Sequence, residues 1–311
     1  MLDERVIGRF TLGKKGPLFI CIGGMHGDEP AGVMALEEVT QILNQKSIAQ
    51  AEFKYRGNFL AVKGNMRALQ KGLRFIDKDL NRCWTDENIE YIHRHDPQSF
   101  YSEQKEIAEI LQLLEKEISR IKPSYIIVLD LHTTSASGGI FSMTTEDTKS
   151  MKIAQELHAP VITGMHGGVS GSSLHFFSGK NMGIPTSTIG FESGQHEDPL
   201  SVNRAIAAVI NCMRTIGAVD ADQVENKHDD ILMAFSKDLP KVSKIVGKYA
   251  VLDKAHFKML PGFQSFQAIE EGQILAVDLH GEVRSPVNGR ILLPSYQKNG
   301  EDGFFLIQAE V

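Results

Sequence analysis

Between residues 17 and 216 the chain alternates unbroken apolar runs with segments whose apolar residues recur every three or four positions. Pro17-Leu18-Phe19-Ile20-Cys21-Ile22-Gly23-Gly24, Phe59-Leu60-Ala61-Val62, Tyr125-Ile126-Ile127-Val128-Leu129-Asp130-Leu131 and Thr186 to Phe191 read as strands buried on both faces. Val33 to Gln45, Glu103 to Glu117 and Val202 to Ile216 read as helices; the second places Ile107, Ile110, Leu111 and Leu114 on one side. A strand apolar on both faces must be covered on both faces. The predicted fold class is therefore α/β, a mixed, mostly parallel sheet flanked by helices.

The texture changes near residue 220. Asp220-Ala221-Asp222-Gln223-Val224-Glu225-Asn226-Lys227 is polar and acidic and reads as a linker. Beyond it, short runs at Lys248–Leu252, Gln273–Val277, Gly289–Leu293 and Phe304–Gln308 are separated by Gly and Pro turns. The expected division is an α/β domain over 1–220, which the residues considered below would make the catalytic one, and a small β domain over 221–311. A hydrophobic content of 42% excludes a disordered chain, and a net charge of −6 argues against nucleic acid or an anionic membrane surface as partner. No run reaches the ~20 apolar residues of a membrane helix. The acidic start, Met1-Leu2-Asp3-Glu4-Arg5, does not resemble a secretory leader, and three widely spaced cysteines fit reduced thiols. A cytoplasmic location is expected, with assembly into a homo-oligomer left open.

Ligands of an open α/β sheet bind at the carboxyl ends of its strands. Two histidines fall there: His26, just past the first strand, and His132, directly after Leu131. Glu29 follows His26 by three residues, which on a turn puts both side chains on one side. His-x-x-Glu by itself also describes a solvated turn whose acid complements a helix dipole, and His132 could equally bond a neighbouring backbone. Two imidazoles and one carboxylate, if brought together, leave an open position for water. That is the composition of a catalytic rather than a structural zinc site. Gly23, Gly24 and Gly27 would permit the close backbone approach such a loop needs.

Four segments in order carry a family resemblance: Gly23-Gly24-Met25-His26-Gly27-Asp28-Glu29-Pro30-Ala31-Gly32, Gly64-Asn65-Met66-Arg67-Ala68-Leu69, Arg74-Phe75-Ile76-Asp77-Lys78-Asp79-Leu80-Asn81-Arg82 and Asp130-Leu131-His132-Thr133-Thr134. Over roughly residues 20–200 the chain resembles the succinylglutamate desuccinylase/aspartoacylase family, a branch of the zinc carboxypeptidase-like fold. The resemblance implies one zinc ion held by His26, Glu29 and His132. It implies that Arg74 polarises the scissile carbonyl and that Asn81 and Arg82 hold a substrate carboxylate. Glu192, in Ile189-Gly190-Phe191-Glu192-Ser193, matches the catalytic glutamate, a general base beside the metal. Asp130, two residues before His132 on the same strand face, is expected to orient a liganding imidazole, that of His26. Asp77 and Asp79 are expected to partner the cations.

The implied activity is zinc-dependent hydrolysis of the amide bond in a small anionic N-acyl amino acid, a linear amide. Alternatives are a carboxypeptidase-like peptidase and a non-catalytic metal-dependent sensor of small anions. One departure concerns the acetylaspartate-cleaving members, which carry an extra arginine before the glutamate. His175 to Gly183 has none, leaving Lys180 as a substitute point charge. Tyr296 could reach the site from the C-terminal region, and His166, His175 and His196 could contact substrate. Met143, Met165 and Met182 read as packing residues. Glu271 to Ala276 with Val283 to Ile291 resembles the small barrel of biotinyl and lipoyl carriers, but the turn Val277 to Glu282 lacks the carrier's lysine. A structural barrel that narrows access to the site is the expectation.

Overall fold

A computed structural model describes residues 2–164, 170–296 and 302–310. The first seven strands are β1 (Val6–Phe10), β2 (Lys14–Gly23), β3 (Arg56–Lys63), β4 (Ile126–Thr134), β5 (Ile140–Thr144), β6 (Val161–Thr163) and β7 (Thr186–Gln195). The rest are β8 (Val242–Ala250), β9 (Lys258–Met259), β10 (Ala268–Ile269), β11 (Ile274–Asp278), β12 (Gly281–Arg284), β13 (Gly289–Leu292) and β14 (Asp302–Ala309). Eleven of them form one sheet in the order β1-β3-β2-β4-β7-β5-β6-β8-β14-β13-β10. Its centre, β3-β2-β4-β7, is parallel, whereas β5 runs antiparallel to β7. The expectation of a mixed sheet with flanking helices holds, but the sheet is not mostly parallel: five of its ten strand pairings are antiparallel.

The alternation of the central strands explains the layering. On β2, Phe19 and Cys21 face one apolar cluster with the helices Ala31–Ala49 and Leu200–Thr215. Leu18, Ile20 and Ile22 face the other, against Ile107, Ile110, Leu113 and Leu114 of the helix Ser102–Ile121. Each such Leu or Ile buried from water stabilises the fold by about 1.5–3 kcal/mol. Cys21, Cys83 and Cys212 are buried and unpaired. Among the described residues no helix is long and apolar enough to cross a membrane.

The loop after β2 is held by backbone contact. Gly24 adopts φ +71°, and a Cβ on Gly27 would lie 2.1 Å from the Ala68 carbonyl carbon. Only glycine lets this loop lie against the short helix Met66–Lys71, which Asn65 caps through the Ala68 amide.

Hydrogen bonding does not stop at residue 220. β8 pairs in parallel with β6, Val161 opposite Val242, so β8, β14, β13 and β10 extend the same sheet. The segment read as a linker is packed against the first part: Val224 is buried and Arg56 binds Asp220 at 2.9 Å. A separate three-stranded sheet, β12-β11-β9, shares an apolar cluster with β13 and β14 through Leu275, Ile291, Phe304 and Leu306. The expected closed barrel is thus not established; among the described residues the strand pairing gives an extension plus a small second sheet. Leu279 and His280 form the tip between β11 and β12, and no lysine stands there.

Candidate metal centre and its cavity

Parallel pairing of β2, β4 and β7 brings the site together. Gly23 at the end of β2 is opposite Leu131, and His132 is opposite Glu192. His26 and Glu29 occupy the loop beyond β2, where the Glu29 amide donates to the His26 carbonyl at 3.2 Å. One ligand atom from each of His26, Glu29 and His132 lies within 4.8 Å of the others, and all three residues are buried.

Both imidazoles present Nδ1 to Glu29. His26 Nδ1 is 2.8 Å from one carboxylate oxygen and His132 Nδ1 is 3.1 Å from the other. The Thr133 amide also donates to that second oxygen at 3.0 Å. On the far side of each ring Nε2 meets a further acid: Asp79 at 3.0 Å for His26 and Asp130 at 3.2 Å for His132. Asp130 thus orients His132, not His26 as expected from the strand alone. Asp79 serves His26, and Ser173 Oγ donates to Asp130 at 2.5 Å. An acid on Nε2 fixes each ring and turns the Nδ1 lone pair inward once a cation replaces the proton. The donor set therefore fits a divalent metal.

The charges agree. Burial alone would lower the pKa of His26, and Arg74 lowers it further, but Asp79 and Glu29 together raise it above the ordinary value. Burial would likewise lower His132, yet Asp130 and Glu29 lift it well above. Burial would raise Glu29, which the two imidazoles instead hold well below the carboxylate range. Asp79 is lowered too, against its burial, by His26, Arg74 and Arg82. This cluster of acids selects positive charge at its centre. Glu192 behaves oppositely: burial, with Glu29 adding to it, pushes its carboxyl up to about 8 despite His132, His26 and Arg74. Its Oε2 is buried with no hydrogen-bond partner.

All of these residues line one cavity, together with Arg74, Asn81 and Arg82. Arg74 reaches Glu29 at 3.3 Å and Asp79 at 3.1 Å. The Asn81 side-chain oxygen accepts from the Ser173 amide at 2.8 Å. Arg82 donates to Asp302 at 2.8 Å, a residue of β14 that motif reasoning passed over because its partner is 220 positions away. Among the described residues no cation pairs with Asp77, contrary to expectation; its carboxylate accepts from the Ser102 amide. Lys180 does not reach the cavity: it is 82% exposed and 3.7 Å from Asp86. Tyr296 also stays away, its hydroxyl bonded to the backbone of Leu260 and Phe263. The C-terminal region instead contributes Leu293, Ser295, Asp302 and Phe305 to the wall. His175 and His196 line the cavity, whereas His166 and Met165 lie outside the described residues. Met143 lines the cavity, and Met182 is half-buried against the apolar core.

Glu103 was also missed. Fully buried at the start of the helix Ser102–Ile121, it accepts from the amides of Ile76, Asp77 and Lys78 at 2.8–3.1 Å and from the Asn65 side chain at 3.2 Å. It thereby fixes the loop that carries Arg74 and Asp79. Glu103→Ala leaves these donors unpaired and should cost about 3 kcal/mol or more of stability, at 1–3 kcal/mol per group. Metal affinity should fall with it, because Asp79 no longer holds His26. Thermal melting and metal titration of the variant check both effects.

The family model described as the succinylglutamate desuccinylase/aspartoacylase catalytic domain matches residues 15–216. A succinylglutamate desuccinylase of Pseudomonas putida is 25% identical over 288 residues, covering 89% of this chain and 78% of that protein. A Nostoc protein named "Probable aspartoacylase" is 30% identical over 119 residues, 38% of this chain and only 36% of that protein's length. Among solved structures, a succinylglutamate desuccinylase/aspartoacylase of Rhodobacter sphaeroides superposes with a TM-score of 0.65 at 14% identity, covering 96% of this chain and 86% of that one. The last is a likeness of fold alone. The matched segment contains His26, Glu29, His132 and Glu192, and on that match the chain belongs to the succinylglutamate desuccinylase/aspartoacylase family.

Proposed function

We propose that the chain is a zinc-dependent hydrolase that cleaves the amide bond of a small anionic N-acyl amino acid. The observation that carries this reading is the buried His26–Glu29–His132 group sharing one cavity with a carboxyl, Glu192, that burial holds near a working proton-transfer range. A divalent metal bound there would acidify a water and draw electron density from a carbonyl. Glu192 is the base that takes a proton from the attacking water; its unpartnered Oε2 is available to accept it. Arg74, fixed between Glu29 and Asp79, stabilises the negative charge that develops on the carbonyl oxygen. Glu192 then returns the proton to the amine as the C–N bond breaks. Asn81 and Arg82 hold the carboxylate of the amino acid, for which a guanidinium fork is suited.

Zinc-loaded protein is expected to release free amine from at least one member of a panel of N-acetyl, N-acyl and N-succinyl amino acids. Excess chelator should abolish that release and added zinc restore it. Hydrolysis confined to the carboxyl ends of peptides would indicate a peptidase instead. Failure to hydrolyse any amide with zinc bound would sink the reading.

A further inference from the structure

The relatives' names point to substrates with several carboxylates, yet both arginines lining this cavity are already paired with acids. Among the described lining residues there are two arginines, Arg74 and Arg82, against five carboxylic acids. Arg74 is already engaged: Nε and NH2 face Asp79 while NH1 faces Glu29. Arg82 is partly engaged, NH1 donating to the Asn81 carbonyl at 2.9 Å and NH2 to Asp302 at 2.8 Å. Asp302 itself enters from β14, with its other oxygen 2.7 Å from Lys248 Nζ. Its side chain is 13% exposed, so the carboxylate is largely withdrawn from solvent and poorly screened. Lys180 is too far out to add positive charge.

Resting on the proposed amide hydrolysis, we propose that Asp302 is a specificity-determining residue that restricts the substrate to a single carboxylate, with an uncharged acyl group and amino-acid side chain. One substrate carboxylate shares the Arg82 fork with Asp302 and stays near the metal's charge. A second carboxylate at this end of the cavity would face Asp302 with no cation among the described lining residues left to bind it. Rejection by a like charge is a common route to selectivity where attractive contacts alone do not discriminate. Asp302 is carried on the strand that extends the catalytic sheet, so the C-terminal region sets the charge of the pocket as well as its shape.

The test compares N-acetylalanine, N-acetylaspartate and N-succinylglutamate, which carry one, two and three carboxylates. Zinc-loaded wild-type protein should show kcat/KM at least about tenfold higher for the first. Asp302→Asn keeps the size of the side chain and removes its charge. It should raise kcat/KM for N-acetylaspartate about tenfold more than it changes that for N-acetylalanine, whose single carboxylate stays on Arg82 in both proteins. The same ligands titrated calorimetrically into zinc-loaded Glu192→Gln and Glu192→Gln/Asp302→Asn proteins give affinities independent of turnover. Equal shifts for the mono- and dicarboxylate would overturn the proposal, as would a wild-type preference for either polycarboxylate, whether or not the variant folds. Absence of turnover with selective binding intact would remove the hydrolytic reading and leave the assignment of Asp302 standing.

Discussion

Glu192→Gln should retain a full complement of zinc and lose turnover by about 10²–10⁴-fold, the usual contribution of a positioned general base. Glu192 is not among the three grouped ligands, so metal content should not move. The amide of glutamine matches the carboxylate in size but accepts no proton near neutral pH. Near-normal activity would remove Glu192 from the mechanism. An independent readout comes from stability. In the metal-free fold, burial lifts this carboxyl from an ordinary 4.5 to about 8, so the folded state holds the proton more tightly than the unfolded chain. By linkage, this group subtracts stability as pH rises from about 4.5 to 8. Glutamine never ionises. Metal-free Glu192→Gln should therefore melt above metal-free wild type at pH 8–9, and the difference should vanish towards pH 4. Equal midpoints at both ends of the range would mean that Glu192 is not held in a desolvated place.

Glu29→Ala should weaken zinc binding by at least about 100-fold and abolish turnover, since Glu29 is the group both imidazoles face. The pH dependence of binding carries the finer signature. In the metal-free protein His26 and His132 keep protons above their ordinary range because Asp79, Asp130 and Glu29 surround them with negative charge. Glu29 and Asp79 are lowered and stay ionised, so they release nothing. Zinc competes with the protons on the rings, and its dissociation constant should fall about tenfold per pH unit for each proton released as pH rises from 6 towards 8. In Glu29→Ala the rings lose a neighbouring anion, release their protons at lower pH, and the slope should flatten. A wild-type dissociation constant independent of pH over that range would contradict the charge arrangement described here. Competition titration with a chromophoric chelator measures both quantities.

The central strands were legible because burial on both faces leaves a simple signature: Ile126 to Leu131 is an unbroken apolar run apart from Asp130, and that one acid pairs with His132. The strands that went unread are short or exposed on one side. Ile140–Thr144 and Val161–Thr163 have five and three residues, too few to show a period; β8 alternates exposed with half-buried positions, and only its end, from Lys248, falls within an expected run. The division at residue 220 follows a real change of composition, but composition is blind to hydrogen bonding. Val242 to Lys244 pair with Val161 to Thr163 and carry the sheet across that point.

Sequence by itself determined the pieces whose chemistry is local: a loop of His26 and Glu29 after one buried strand, His132 ending another, an acid at Glu192 on a third. Their residue types and positions at strand ends limit what can be done there, because strand ends in such a sheet converge. Tertiary structure alone decided the pairings. Asp79 rather than Asp130 meets His26, Glu103 ties down the loop of Arg74, and Asp302 arrives on Arg82 from the far end of the chain. Each pairing depends on strand order and register, which fall outside any local pattern because a hydrogen bond at 3 Å imposes no rule on separation along the chain.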